Sequence, residues 1–106
     1  MARPQSILTA VMAAAIRERR VLSITYTGAI QPQLFAPVAL YVDRANRLMV
    51  DGYEISGQRV RWRELDLTMA RDLLQTEHTY TCDAMPPLVR KSYPRGTAML
   101  ERAKLD

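Results

Sequence analysis

A chain of 106 residues, 48% hydrophobic and 25% charged, has the size of one domain with a single core and is too apolar to stay disordered as a whole. No apolar run approaches the ~18 residues that cross a bilayer as a helix, the start lacks a signal peptide's order of parts, and the lone Cys82 excludes an internal disulfide, so a cytoplasmic protein with no membrane partner is expected. The formal net charge is +4 and thirteen of the fifteen cations are arginine, whose planar fork suits phosphate and carboxylate better than the point charge of lysine.

Residues 5 to 20 read as a helix. Ile7, Leu8, Val11, Met12, Ala15 and Ile16 recur at helical spacing as one apolar stripe, and Arg17, Arg19 and Arg20 complement the negative pole at its end. Ala10, Ala13 and Ala14 make a second, smooth flank suited to packing on another subunit, so a homodimer or larger homo-oligomer is expected. The period then changes to two. In "VLSITY", 21 to 26, Leu22, Ile24 and Tyr26 alternate with Val21, Ser23 and Thr25, and "TGAIQP" ends the strand. A second strand is predicted from Pro37 through "VALYV", a turn at "DRAN", a third strand in "RLMVDGY" and a turn at "ISG". Connections this short leave no room for helical crossovers, so the strands are antiparallel neighbours. Short, curved, consecutive strands close most simply into a small barrel.

The fourth strand carries the string "QRVRWRELDL", 58 to 67. Arg59, Arg61 and Arg63 share one face, Val60 and Trp62 the other; then Leu65 and Leu67 take over the arginine frame while Glu64 and Asp66 take over the other. One strand with one buried face cannot satisfy both halves, which predicts a bulge or bend near Arg63. Beyond Leu67 the pattern predicts a helical turn from Met69 to Leu74 and a short strand, 78 to 82, completing the barrel. "DAMPPLVRKSYPRG", 83 to 96, reads as a strap over the surface, and "TAMLERAKL" as a short amphipathic helix burying Met99, Leu100 and Ala103.

Catalysis has little to work with. His78 is the only histidine and no serine sits in a G-x-S-x-G elbow. His78, Cys82 and Asp83 do not converge from one strand, so no metal is expected, and the four glycines form no phosphate-cradling loop. No catalytic residue and no cofactor are assigned. Glu64 and Asp66, near Arg61 and Arg63, read as a solvated ion-pair patch. A single helix ahead of the first strand is not a helix-turn-helix. What the chain offers is cations interleaved with aromatics, in two groups: Arg59, Arg61 and Arg63 beside Trp62, and Arg90, Lys91 and Arg95 around Tyr93. That is the equipment of single-strand binding surfaces. Charges on an edge strand also serve only to block edge-to-edge pairing. Two readings follow: non-catalytic binding of single-stranded nucleic acid or a small anionic, nucleotide-like ligand, or a self-assembling interaction subunit whose arginines are only surface.

From "AIRERRVLSITYTG" through "FAPVALYVD" and "RLMVDGYEISG" to "RWRELDL", the order of parts resembles the WYL domain, a bacterial Sm-like small barrel with a leading helix. The likeness rests on a basic helix end, the "I-x-Y-x-G" at Ile24, Tyr26 and Gly28, the proline at Pro37, the "G-Y" at Gly52 and Tyr53, and the arginine strand. The tail "RKSYPRGTAMLER" is similar to the ending of short stand-alone proteins of that type. Arg47, Leu48 and Met49 stand where the family has its namesake tripeptide, Gln33 where it usually has an arginine, and Leu65 where it commonly has an aromatic. The resemblance implies one mostly β domain over 1–106, with a helix at 5–20, a barrel at 21–82, and a strap and helix at 83–106. It further implies a regulatory or sensing module, of the kind used in transcriptional regulation, that binds nucleic acid or a small anion in a basic pocket. It carries ligand binding onto Tyr26, Arg61 and Arg63.

Overall fold

The apolar stripe at the start folds as α1, Gln5–Glu18, in a computed structural model that describes residues 5–80 and 95–103. Leu8, Met12, Ala15 and Ile16 are buried, spaced as one helix face, while Val11 and Ala13 pack half-buried beside them and Ile7 stays exposed. The helix stops earlier than its pattern because Arg19 takes a left-handed conformation, φ 53°, with its N–H on the Ile16 carbonyl, as helix ends commonly do. The Arg19 carbonyl accepts the Tyr80 N–H at 2.8 Å, which ties the start of the sheet to the end of its fifth strand.

The sheet comprises β1 (Arg20–Tyr26), β2 (Gln33–Val42), β3 (Leu48–Ser56), β4 (Arg59–Asp66), β5 (Ala70–Thr79) and β6 (Ala98–Arg102), with a 3-10 turn at Leu67–Met69 between β4 and β5. Its order is β4-β3-β2-β1-β5, with β6 paired to β2 and every pairing antiparallel. The described residues are therefore mostly β, one six-stranded antiparallel sheet and one N-terminal helix, which packs on β1, β2, β5 and β6. Among the described residues β4 and β5 end the path without pairing to each other, so the sheet is open where closure was expected. No helix among them is long and apolar enough to cross a membrane.

β2 is the spine. One edge pairs with β3 from Leu34 to Val42; the other pairs first with β1, Gln33 to Phe35, and then with β6, Ala39 to Val42. The change falls at a bulge: Pro37 faces Gly52 and Ala39 faces Asp51, leaving Val38 as the extra residue. Proline lacks an N–H, so a bulge is where a central strand tolerates it. The carbonyls that the bulge turns out of the ladder find other donors, the Tyr80 hydroxyl on Pro37 and the Ala103 N–H on Val38. Opposite the bulge, a Cβ on Gly52 would lie 2.3 Å from the Ala36 oxygen and 2.8 Å from the Phe35 ring. Phe35, Leu22, Ile24 and Leu40 are fully enclosed around this spine, each contributing about 1.5–3 kcal/mol of apolar burial.

Three local expectations differ from the structure. β4 shows no bulge or bend at Arg63: its ladder to β3 is unbroken from Arg59 to Asp66. The frame change is accommodated because both faces of the sheet carry core at this point. Trp62 stands opposite Tyr53 on one face and Leu65 opposite buried Val50 on the other, so a straight strand satisfies both frames. Met69 to Leu74 forms no helical turn beyond the 3-10 turn, but the start of β5. That strand carries Arg71 as an extra residue against β1 and a second irregularity opposite Val21, and such insertions erase the period-two alternation that marks a strand. The expected C-terminal helix is β6, drawn out by the stretch of β2 edge that β1 leaves unpaired; Met99 and Leu100 stay exposed and only Ala103 is buried. The expected strap lies mostly outside the described residues.

Close approach and backbone freedom separate the glycines. Gly52→Ala is expected to cost about 3 kcal/mol by overpacking. Gly57→Ala, at φ 60° with open space around it, should cost about 1 kcal/mol. Urea unfolding of the two variants against the parent measures both; equal costs would show that the Gly52 approach is not needed.

Candidate functional site

The two-residue turn at Gly57 and Gln58 sets the register of the β3–β4 hairpin, Ser56 against Arg59, and so puts Glu54 opposite Arg61 and Gly52 opposite Arg63. Residues facing each other in an antiparallel pair share a face, so one carboxylate lies within reach of two guanidiniums. Glu54 Oε1 accepts from Arg61 Nη2 at 3.2 Å and Glu54 Oε2 from Arg63 Nη1 at 3.2 Å. The Glu54 side chain is 12% exposed, Arg63 39% and Arg61 68%. The carboxylate is thus largely enclosed while the arginines still face solvent. Arg59 is exposed beyond them and lines, with Glu54, Ser56 and Arg61, a cavity of about 190 Å³.

A second cavity, about 280 Å³, lies beside Arg63 and is lined by Tyr26, Arg63, Glu64, Leu65, Asp66 and Met69. Tyr26 reaches it from the far end of β1. It is held there because the Met69 carbonyl accepts the Thr27 N–H at 2.8 Å, and because Asp66 caps the intervening 3-10 turn by accepting from Thr68 N at 2.9 Å and Thr68 Oγ1 at 2.6 Å. The Tyr26 hydroxyl is buried with no hydrogen-bond partner among the described residues. Burial pushes its pKa above the ordinary 10.0, the Glu54 carboxylate adds to the rise, and the Arg63 guanidinium partly offsets it. A buried hydroxyl without a partner carries an uncompensated desolvation cost.

Tyr26 and Arg63, separated by 37 positions in the chain, therefore meet on one cavity, with Arg61, Arg59 and Glu54 on the next, and Glu54 links the two through its bond to Arg63. The set supplies donors for an anion and an apolar wall from Leu65 and Met69. Among the described residues no three metal-ligating side chains cluster. Trp62 is on the opposite face, edge-on to Tyr53 with ring centroids 5.2 Å apart, so it stacks in the protein and not beside the arginines. Among the described residues, the ion pairs of Arg61 and Arg63 run to Glu54, where Glu64 and Asp66 were expected, and Asp66 accepts from Thr68. Arg95 is exposed and next to Gly96, whose Cβ position would lie 3.3 Å from Arg44. Arg44 belongs to the β2–β3 turn, at the other end of β3 from the arginine hairpin, so Arg95 does not join the row. Arg90, Lys91 and Tyr93 lie outside the described residues.

Glu54 escaped the reading of the sequence. Its signal was there: a "SGQR" turn closing on Ser56 and Arg59 pairs positions whose numbers sum to 115, and 54 pairs with 61.

The raised pKa of Tyr26 has a pH consequence. A folded-state pKa above the unfolded one means that the native state holds the proton longer, so stability is full below pH 10 and falls as pH rises past it. Tyr26→Phe is expected to flatten that alkaline decline in denaturant unfolding between pH 9 and 11, and an unchanged slope would contradict it.

No family model matches the chain, and comparisons with curated proteins and with solved structures return no significant match.

Proposed function

We propose that this chain is a non-catalytic sensing or regulatory module that binds a phosphate-bearing ligand, a nucleotide free or within a single strand, through Tyr26, Arg59, Arg61 and Arg63. The observation that carries this reading is the unpartnered, buried Tyr26 hydroxyl on a cavity wall shared with Arg63. A donor left without an acceptor beside a guanidinium is arranged for an oxyanion. The cavity falls just under the usual size of small-ligand sites, roughly 300–1,000 Å³, which suits a phosphate or a single base and not a large ligand. A WYL-like module is the kinship proposed with it, supported by the leading helix and by the run of consecutive antiparallel neighbours β5-β1-β2-β3-β4, an Sm-like order in an open sheet. A transcription-linked role follows from that kinship alone, and the cytoplasmic reading rests on the lone Cys82.

Triple replacement of Arg59, Arg61 and Arg63 by serine should weaken binding of a fluorescent decauridylate, and of AMP as competitor, while the fold melts as before. Loss of three phosphate contacts flattens the plot of log affinity against log salt by about two units, roughly 0.7 for each. Replacing the exposed Arg44, Arg71 and Arg102 removes the same charge. Equal damage from the two triples, or no salt-sensitive binding by the parent, defeats the site.

Self-assembly is supported by a separate observation. Leu34 and Leu74 face Ser23 from either side on one face of the sheet, 40% and 54% exposed, and among the described residues β4 and β5 leave open edges. A homodimer or larger assembly is expected in sedimentation, and a monomer over a wide concentration range contradicts it.

A further inference from the structure

We infer that Glu54 is an internal competitor for the arginine site and restricts it to doubly charged phosphate monoesters, such as a free nucleotide or the phosphorylated end of a strand, over the singly charged diesters within a strand. This rests on the phosphate-binding reading above. Both Glu54 oxygens are engaged, one by each arginine at 3.2 Å, and the carboxylate is much more enclosed than either guanidinium. Arg61 and Arg63 thus already hold an anion of charge −1, the Glu54 carboxylate. An incoming diester, also −1, exchanges one single charge for another and gains little. A monoester carries about −1.5 to −2 at neutral pH with three acceptor oxygens, enough to draw both guanidiniums from Glu54 and still accept from the Tyr26 hydroxyl.

The position of Glu54 decides against a purely supporting role. A residue that only aims an arginine leaves its ligand-facing nitrogens free, whereas Glu54 itself lines the cavity of Arg59 and Arg61 and also engages Arg63, which lines the other. Its hold is also weak enough to give way. Ion pairs with partners this exposed contribute about 1 kcal/mol or less, which converts to at most about fivefold in affinity.

The test compares decauridylate with and without a 5′-phosphate, at fixed salt, on the parent, Glu54→Gln and Glu77→Gln. Glu77 is exposed on β5 and its replacement makes the same change in net charge away from the site. The parent should prefer the 5′-phosphorylated strand by roughly fivefold, and AMP should displace it better than cyclic AMP, a diester. Glu54→Gln should tighten the 5′-hydroxyl strand and remove most of the preference, while Glu77→Gln keeps it. Glu54→Thr, a residue suited to a strand, should act like Glu54→Gln and guards against a folding defect peculiar to one variant. No preference in the parent, a preference unchanged in Glu54→Gln, or weaker binding of both strands by Glu54→Gln overturns the inference. Where arginine-dependent binding persists in those cases, the phosphate-binding reading stands without it. Absence of binding by the parent and by every variant removes both.

Discussion

The bulge at Pro37 and Val38, fitted against Gly52, is the constraint on which the rest of the architecture depends. Proline removes a ladder donor in the middle of the longest-paired strand, and the extra residue rotates the strand so that two different partners, β1 and β6, share its second edge. The carbonyls turned out of register are the ones that Tyr80 and Ala103 satisfy. One local irregularity therefore recruits the residue after β5 and the residue after β6 to the same place. Gly52 permits the approach because no side chain fits between its backbone and Phe35.

The same glycine shapes the site. It faces Arg63 across the β3–β4 ladder, and because Phe35 and the β2 backbone take the space of its missing side chain, the carboxylate beside Arg63 is that of Glu54, two residues on. The hairpin then couples three charges in a fixed geometry at the sheet edge. Coupling of this kind contributes little to stability, since two of the three partners are well exposed. Its consequence is chemical: the arginines are oriented and half-neutralised before any ligand arrives, and the Tyr26 hydroxyl on the cavity beside Arg63 is a buried donor with no partner among the described residues.

An edge strand bearing three cations also serves to limit association through that edge. The opposite edge, β5, is broken by two irregularities against β1, a second device that discourages continued pairing. The exposed Leu34 and Leu74 lie on a face, not an edge, so assembly through them and binding at the arginines are not mutually exclusive.

The helix, the first four strands and their antiparallel order were legible in the chain because each rests on local periodicity and short turns. The arginine row and its shared face follow from alternation alone, and the likeness that singled out Tyr26, Arg61 and Arg63 was already present in the order of motifs. What the sequence could not decide depends on pairing between distant segments. "TAMLERAKL" has helical spacing, yet its Ala98–Arg102 becomes a strand because β2 offers it an unpaired edge, and β5 hides its alternation behind residues inserted against β1. The straightness of β4 depends on core lying on both faces of the sheet, which no single strand reveals. The meeting of Tyr26 with Arg63, and the capture of both arginines by Glu54 instead of by the nearer Glu64 and Asp66, were set by register and by the tie from Thr27 to Met69. Local pattern determines which face a side chain takes; only the assembled sheet determines what that face meets.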